Sequence, residues 1–220
     1  MLSPLEISLV AAALVAGLTG AWSPCGLSMV ETIGPTGHEG GRRTTAAACL
    51  TFTAGALVGG VVIFGSLSLL GAWLGGGHVA LAAAAGVAAL AAVGEARAVR
   101  IVPQIRRQVP ETWRRTMPLP VAAGLYGVLL GLGFTTFVLT LAVWVLAGFS
   151  VALGNPVIGA LVGVAFGLGR ALPVAVMAPL AGAPTGLRLT ELMAERPGIL
   201  RGFRTVDALA LSACAVAVAV

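Results

Sequence analysis

Six long apolar runs constrain this chain more than anything else in its sequence. They lie at about 7–33, 45–74, 78–96, 120–149, 156–181 and 205–220, and none holds more than one charged residue. A helix needs about 20 consecutive apolar residues to cross a bilayer. The runs at 45–74 and 120–149 are long enough to cross with tilt, and the last is short. Only 10% of the 220 residues are charged, against about a quarter in a soluble domain. So little polar surface cannot cover a chain of this length in water, and the solvent it is built for is lipid. The predicted fold is all-α: a polytopic membrane protein of six transmembrane helices in a single domain, residues 1–220, with the lipid bilayer as its partner. Residues Met1 to Glu6 lack a basic segment, and the following run is too long for a signal peptide, so the first run is expected to remain as a helix.

The basic residues set an orientation. Arg42 and Arg43 lie between the first two runs. Arg97, Arg100, Arg106, Arg107, Arg114 and Arg115 lie between the third and fourth, and Arg188, Arg196, Arg201 and Arg204 between the fifth and sixth. The linkers around Gly75–Gly77 and Asn155 carry none. By the positive-inside rule the arginine-bearing loops are cytoplasmic and both termini face outside a cell membrane crossed several times. The net charge of +5 does not signal nucleic-acid binding, because no basic stripe alternates with aromatic residues. The segment from Arg97 to Pro118, broken by Pro103, Pro110 and Pro118, reads as a surface loop, with Trp113 at headgroup level.

The two halves resemble each other at an offset of roughly 110 residues. Gly17 and Gly20 before Pro24-Cys25 find counterparts in Gly127, Gly131 and Gly133 before Thr135-Thr136, and Phe52 and Gly55 in Phe166 and Gly169. Three helices per half predicts a 3+3 inverted repeat with a site near the midplane.

Candidate site residues cluster at the helix breakers. Pro24 removes a backbone N–H from the middle of the first run, Gly26 loosens it, and Cys25 places a thiol at the break. Such a break survives in lipid only where protein buries it or it lines a cavity. The alternative is a simple proline kink with cysteine as packing. Arg170 is the one arginine outside the loops, preceded by Gly167 and Gly169 and followed by Pro173, which together predict a second broken helix. A charge within the membrane marks a functional site by default. Its candidate partners are Glu31, if that carboxylate turns inward, and the Cys25 thiolate. Cys49 and Cys214 read as packing residues. No Cys-x-x-Cys motif, haem-attachment motif or spaced ligand set for His38 or His78 occurs, so no cofactor and no metal are expected.

Gly20-Ala-Trp-Ser-Pro-Cys25, Phe52-Thr-Ala-Gly55, Gly131-Leu-Gly-Phe-Thr135 and Gly167-Leu-Gly-Arg-Ala-Leu-Pro173 resemble, in order and spacing, motifs of the cytochrome c biogenesis protein CcdA and the membrane domain of the thiol:disulfide interchange protein DsbD. The resemblance implies that Cys25 is a redox thiol, passing reducing equivalents across the membrane by thiol–disulfide exchange with thioredoxin-like partners. It also implies a second cysteine in the fourth helix, where this chain has Thr136-Phe137, and a proline where it has Ser28. The alternatives are a small-solute transporter or exporter on the same scaffold with Arg170 at its site, or a non-catalytic membrane subunit.

Overall fold

The computed structural model describes residues 2–97, 112–135, 140–184, 186, 188, 191 and 197–219, without the side chains of Pro24, Arg114 and Pro197. Thr136, Pro103, Pro110, Arg100, Arg106, Arg107 and Arg196 therefore lie outside the described residues.

Local signals start and stop the helices. In α1 (Pro4–Ala21) the Ser3 hydroxyl accepts from the Glu6 N–H, and the Glu6 carboxylate accepts from the Ser3 N–H at 2.6 Å. This reciprocal cap satisfies two of the donors that a helix start leaves open. The chain continues as α2 (Pro24–Ile33), α3 (Gly41–Leu74), α4 (His78–Ala96), the short α5 (Thr112–Thr116), α6 (Leu119–Gly131), α7 (Ala142–Leu153), α8 (Pro156–Met177) and α9 (Pro197–Ala219), with a 3-10 turn at Ala178–Leu180. Gly75 and Gly154 end α3 and α7 in the left-handed conformation, at φ 70° and φ 58°, where a Cβ is disfavoured. The Asn155 side chain caps α8, accepting from the Val157 and Ile158 N–H groups. No strand occurs among the described residues.

Among the described residues, five helices are long and apolar enough to cross a membrane: Pro4–Ala21, Gly41–Leu74, His78–Ala96, Pro156–Leu180 and Gly198–Ala219. Their outer faces carry bare apolar side chains, Trp73, Val79 and Leu90 among them, each at least three-quarters exposed. A continuous apolar surface of this kind suits lipid and not water. The 34 residues of α3 make a rod about 51 Å long, well over the hydrocarbon thickness.

Two of the expected single helices are each two helices. The run at 7–33 divides at Trp22-Ser23, and the run at 120–149 divides after Gly131 and resumes at Ala142. Pro24 explains the first division: Ser23 takes an extended conformation (φ -85°, ψ 161°) and caps α2, its hydroxyl accepting from the Gly26 N–H. Gly133 contributes to the second with φ 72°. The halves of the fourth run, 13 and 12 residues, are each too short to span, so six full-length spans are not what the helices show. Conversely, the break expected around Pro173 does not occur. Pro173 sits four residues before the end of α8, which runs through it unbroken, without the bond that an N–H at this position would make to the Gly169 carbonyl.

Helix α3 is central, packing against α6, α7 and α8, while α1 lies against α8 and α9, and α4 against α9 and α7. Glycines let the backbones approach. A Cβ on Gly60 would strike the Gly163 carbonyl, and one on Gly163 would strike that of Gly60, so α3 and α8 cross backbone to backbone. Gly17 lies in the same way on the Phe166 carbonyl of α8, and Gly127 on the Phe52 carbonyl of α3. With lipid on the outside there is little hydrophobic drive between helices, and such close van der Waals contact is what holds them together.

Candidate functional site: a buried arginine between two helix breaks

An intact helix would pair the Gly20 carbonyl with the N–H of residue 24. Proline has none, so the break at Trp22-Ser23 leaves that carbonyl without a helical partner. Arg170 supplies one: its Nη1 donates to Gly20 O at 2.7 Å. The Arg170 side chain, from the middle of α8, is fully buried, and no other completely buried side chain among the described residues is larger. Its guanidinium lies flat against Gly20, where a Cβ would stand 2.5 Å from Cζ and 2.7 Å from Nη2. Its Cζ is 5.4 Å from the centroid of the Phe166 ring. Four residues apart, Phe166 and Arg170 share a face of α8.

The second break meets the same face. A Cβ on Gly133 would come within 3.0 Å of the Phe166 ring, which in turn packs edge-on against Phe64 at 5.4 Å between centroids. The Thr135 hydroxyl donates to the Leu129 carbonyl at 2.6 Å, across the end of α6. One turn of α8 therefore joins the breaks, Phe166 against the second and Arg170 against the first. Gly167 and Gly169 make this possible, since a Cβ on either would strike the backbone of α3 or α1 respectively.

The other sequence candidates fall in different places. Cys25, in the first turn of α2, is buried and close enough to Arg170 to interact with it electrostatically. Gly26 is packed against the Ala21 carbonyl across the break. Glu31 is exposed at the far end of α2, so it does not turn inward toward Arg170. Pro173 lies one turn beyond Arg170 within α8. Cys25, Cys49 and Cys214 are all free thiols. Cys49 packs with Phe52 and Ile33 in one apolar cluster, Cys214 with Leu211 and Phe149 in the other.

A second interior polar cluster forms around Glu95 and Asp207, which the sequence reading did not single out. The Glu95 carboxylate, fully buried on α4, accepts from Arg204 Nε of α9 at 2.6 Å and from the Leu141 N–H at the start of α7. It thereby caps the second half of the broken run. Asp207, one turn along α9 and 1% exposed, points toward the hydroxyls of Thr19 and Thr140 and lies within electrostatic reach of Glu95 and Arg204. Neither of its oxygens forms a well-aligned hydrogen bond, and the Thr19 hydroxyl donates instead to Val15 O at 3.0 Å. The signal that could have found the cluster is the three-residue spacing of Arg204 and Asp207 within an apolar helix, which puts both on one face.

Comparison with known proteins places this arrangement beside one set of curated relatives. The methylamine utilization protein MauF of Paracoccus denitrificans is 35% identical over 182 residues, covering 80% of this chain and 65% of that protein. MauF of Paracoccus versutus is 37% identical, covering 75% of this chain and 62% of its own length. MauF of Methylorubrum extorquens is 33% identical, covering 74% and 59%. The chain thus spans about three-fifths of the length of the curated relatives it matches. No family model matches, and no solved structure does.

These relatives overturn the resemblance to CcdA and DsbD, and with it the reading as a thiol–disulfide exchange protein of cytochrome c assembly. The motifs that suggested it have a simpler physical origin. Gly17, Gly20, Gly131, Gly133, Gly167 and Gly169 each admit a close neighbour that a side chain would block, and Pro24 breaks α1 from α2. Any membrane protein with two broken helices packed on a central one needs small residues and a breaker at such places. What this chain is similar to, over most of its length, is the methylamine utilization protein MauF.

Proposed function

We propose that this chain is a multi-pass membrane protein serving methylamine utilization, with the α8 segment from Phe166 to Arg170 as its working centre. The observation that carries the reading is the shared name of five curated relatives at 32–37% identity, each matched over about three-quarters of this chain. The helix breaks support the placement of the centre. In lipid, backbone freed from a helix requires protein or a lined cavity around it, and both breaks converge on one turn of α8. Arg170 holds the first break closed through Gly20. Pro24 and Gly26 shape the ends of that break, and Gly167 and Gly169 let α8 approach it. Thr135 shapes the second break, Cys25 lies within electrostatic reach of Arg170, and Pro173 frees a carbonyl one turn away.

In this reading α1 with α2 forms one span and α6 with α7 another, giving six spans as a 3+3 inverted repeat. The pairing of spans supports it. The first span lies along α8 and the fourth along α3, the first touches α9 and the fourth α4, and α3–α8 and α4–α9 pair with each other. The matching contacts of Gly17 on Phe166 and Gly127 on Phe52 have the offset of roughly 110 residues found in the sequence. The arginine-bearing loops face the cytoplasm and both termini face outside.

The test is deletion of the gene in its own host, with growth on methylamine as the readout. Growth should fail on methylamine and persist on a multicarbon substrate. The wild-type gene should restore it, and Arg170→Ala, at matched membrane abundance, should not. Normal growth of the deletion strain on methylamine would remove the assignment. Full rescue by Arg170→Ala would remove the working centre while leaving the assignment in place.

A further inference from the structure

Arg170 has more to offer than the bond it makes. A guanidinium carries five N–H groups, and only Nη1 is engaged, on Gly20 O. Nε and Nη2 are sealed from solvent and have no hydrogen-bond partner. These two atoms form one edge of the guanidinium and present two parallel N–H groups, the fork that matches the two oxygens of a carboxylate. Gly20 lies against the group and the Phe166 ring stands 5.4 Å from its Cζ, which leaves the Nε–Nη2 edge as the direction for recognition. The ion pair between described residues joins Arg204 to Glu95, and no described carboxylate meets Arg170.

A second positive feature lies beside it. Helix α2, ten residues long, begins at Pro24, and Cys25 in its first turn lies within electrostatic reach of Arg170. Pro24 has no N–H and the Gly26 and Leu27 N–H groups are taken by Ser23, so what the start of α2 offers an anion is the helix dipole and the Cys25 N–H. We propose that the Nε–Nη2 edge of Arg170 and the start of α2 together bind a small monocarboxylate inside the protein, between the end of α1, α2 and α8. Charge selects the class: one carboxylate neutralises one guanidinium, whereas a multiply charged phosphate would leave excess negative charge in the interior. Chloride, a single sphere, can bridge the two N–H groups but cannot give each its own acceptor in line, as a carboxylate does. This inference follows from the geometry alone and stands or falls separately from the methylamine assignment.

The experiment uses the full chain in nanodiscs of phosphatidylcholine, which has no net charge. Sodium acetate and sodium formate are titrated against sodium chloride and sodium phosphate at equal ionic strength, with the thermal unfolding midpoint as readout. The expected result is a saturable rise with acetate or formate beyond that with chloride or phosphate. Arg170→Lys, which keeps the charge and loses the fork, should weaken it by about tenfold or more. Should that variant fail to fold, the wild type decides: dipolar coupling between 13C-carboxylate acetate and 15N-labelled arginine side chains places the anion on a guanidinium. A response no larger than that to chloride, preference for phosphate, undiminished binding by a folded Arg170→Lys, or no carbon–nitrogen coupling would each overturn the proposal.

Discussion

Glu95→Ala should destabilise the protein more than its position near a helix end suggests. The side chain of Glu95 is 0% exposed and that of its partner Arg204 11%, so this is a buried pair and solvent screening is slight. Removing one member of a buried pair costs about 3–5 kcal/mol when the other is left alone, and Asp207, within electrostatic reach of Arg204, offsets part of that here. The Leu141 N–H at the start of α7 also loses its acceptor, and an unsatisfied buried donor costs about 1–3 kcal/mol. The partial exposure of Arg204 lets its head group shift outward and recover some of this, so the expected total is about 4 kcal/mol. Equilibrium unfolding in mixed micelles, followed by tryptophan fluorescence, measures it. The double variant Glu95→Ala/Arg204→Ala removes both charges and should fall well short of the sum of the single losses, by about 2 kcal/mol. A loss below about 1 kcal/mol in the single variant, or strict additivity in the double, would refute the view that this pair is a buried, coupled unit holding α7 to α4 and α9.

Two further consequences follow from the backbone. Pro24→Ala restores an N–H that can bond to Gly20 O in competition with Arg170 Nη1; spin labels placed near residues 10 and 30 should report a longer separation, approaching the roughly 30 Å of 20 continuous helical residues, and an unchanged distance would show that Pro24 does not maintain the break. Gly163→Leu drives a side chain into the α3 backbone at Gly60 and should cost about 3 kcal/mol or more in the same unfolding assay, whereas Gly86→Leu, which faces open space, should change stability little.

How much could be read beforehand differs by residue. The break at Pro24 was legible because proline lacks an N–H in any surroundings. The same rule misled at Pro173: α8 continues through it to Met177, held by its packing against α3 and α1, which the sequence does not show. The interior placement of Arg170 was legible from its isolation within an apolar run. Its bond to Gly20 was not, because 150 residues separate them and only the docking of α8 on α1 joins them. The spaced glycines were visible, but close backbone approach produces such patterns in many helical membrane proteins, and they pointed to the wrong relatives. Glu95 lies at the end of α4, where run length puts it, but its inward turn was not legible because run length does not say in which direction a helix face points.

The order of residues already dictates that this chain is helical and built for lipid, that its first long run must break at Pro24, and that one arginine lies within an apolar run. Each of these follows from local chemistry: the transfer cost of side chains, the missing N–H of proline, and the low charge of the runs. Tertiary structure alone decided that both breaks meet one turn of α8, that Arg170 supplies the partner of the orphaned Gly20 carbonyl, and that Glu95, Arg204 and Asp207 gather around the start of α7. Those outcomes depend on how helices rotate and cross, and the crossing is set by glycine contacts between segments far apart in the chain, such as Gly127 on Phe52 and Gly17 on Phe166, which no local pattern records.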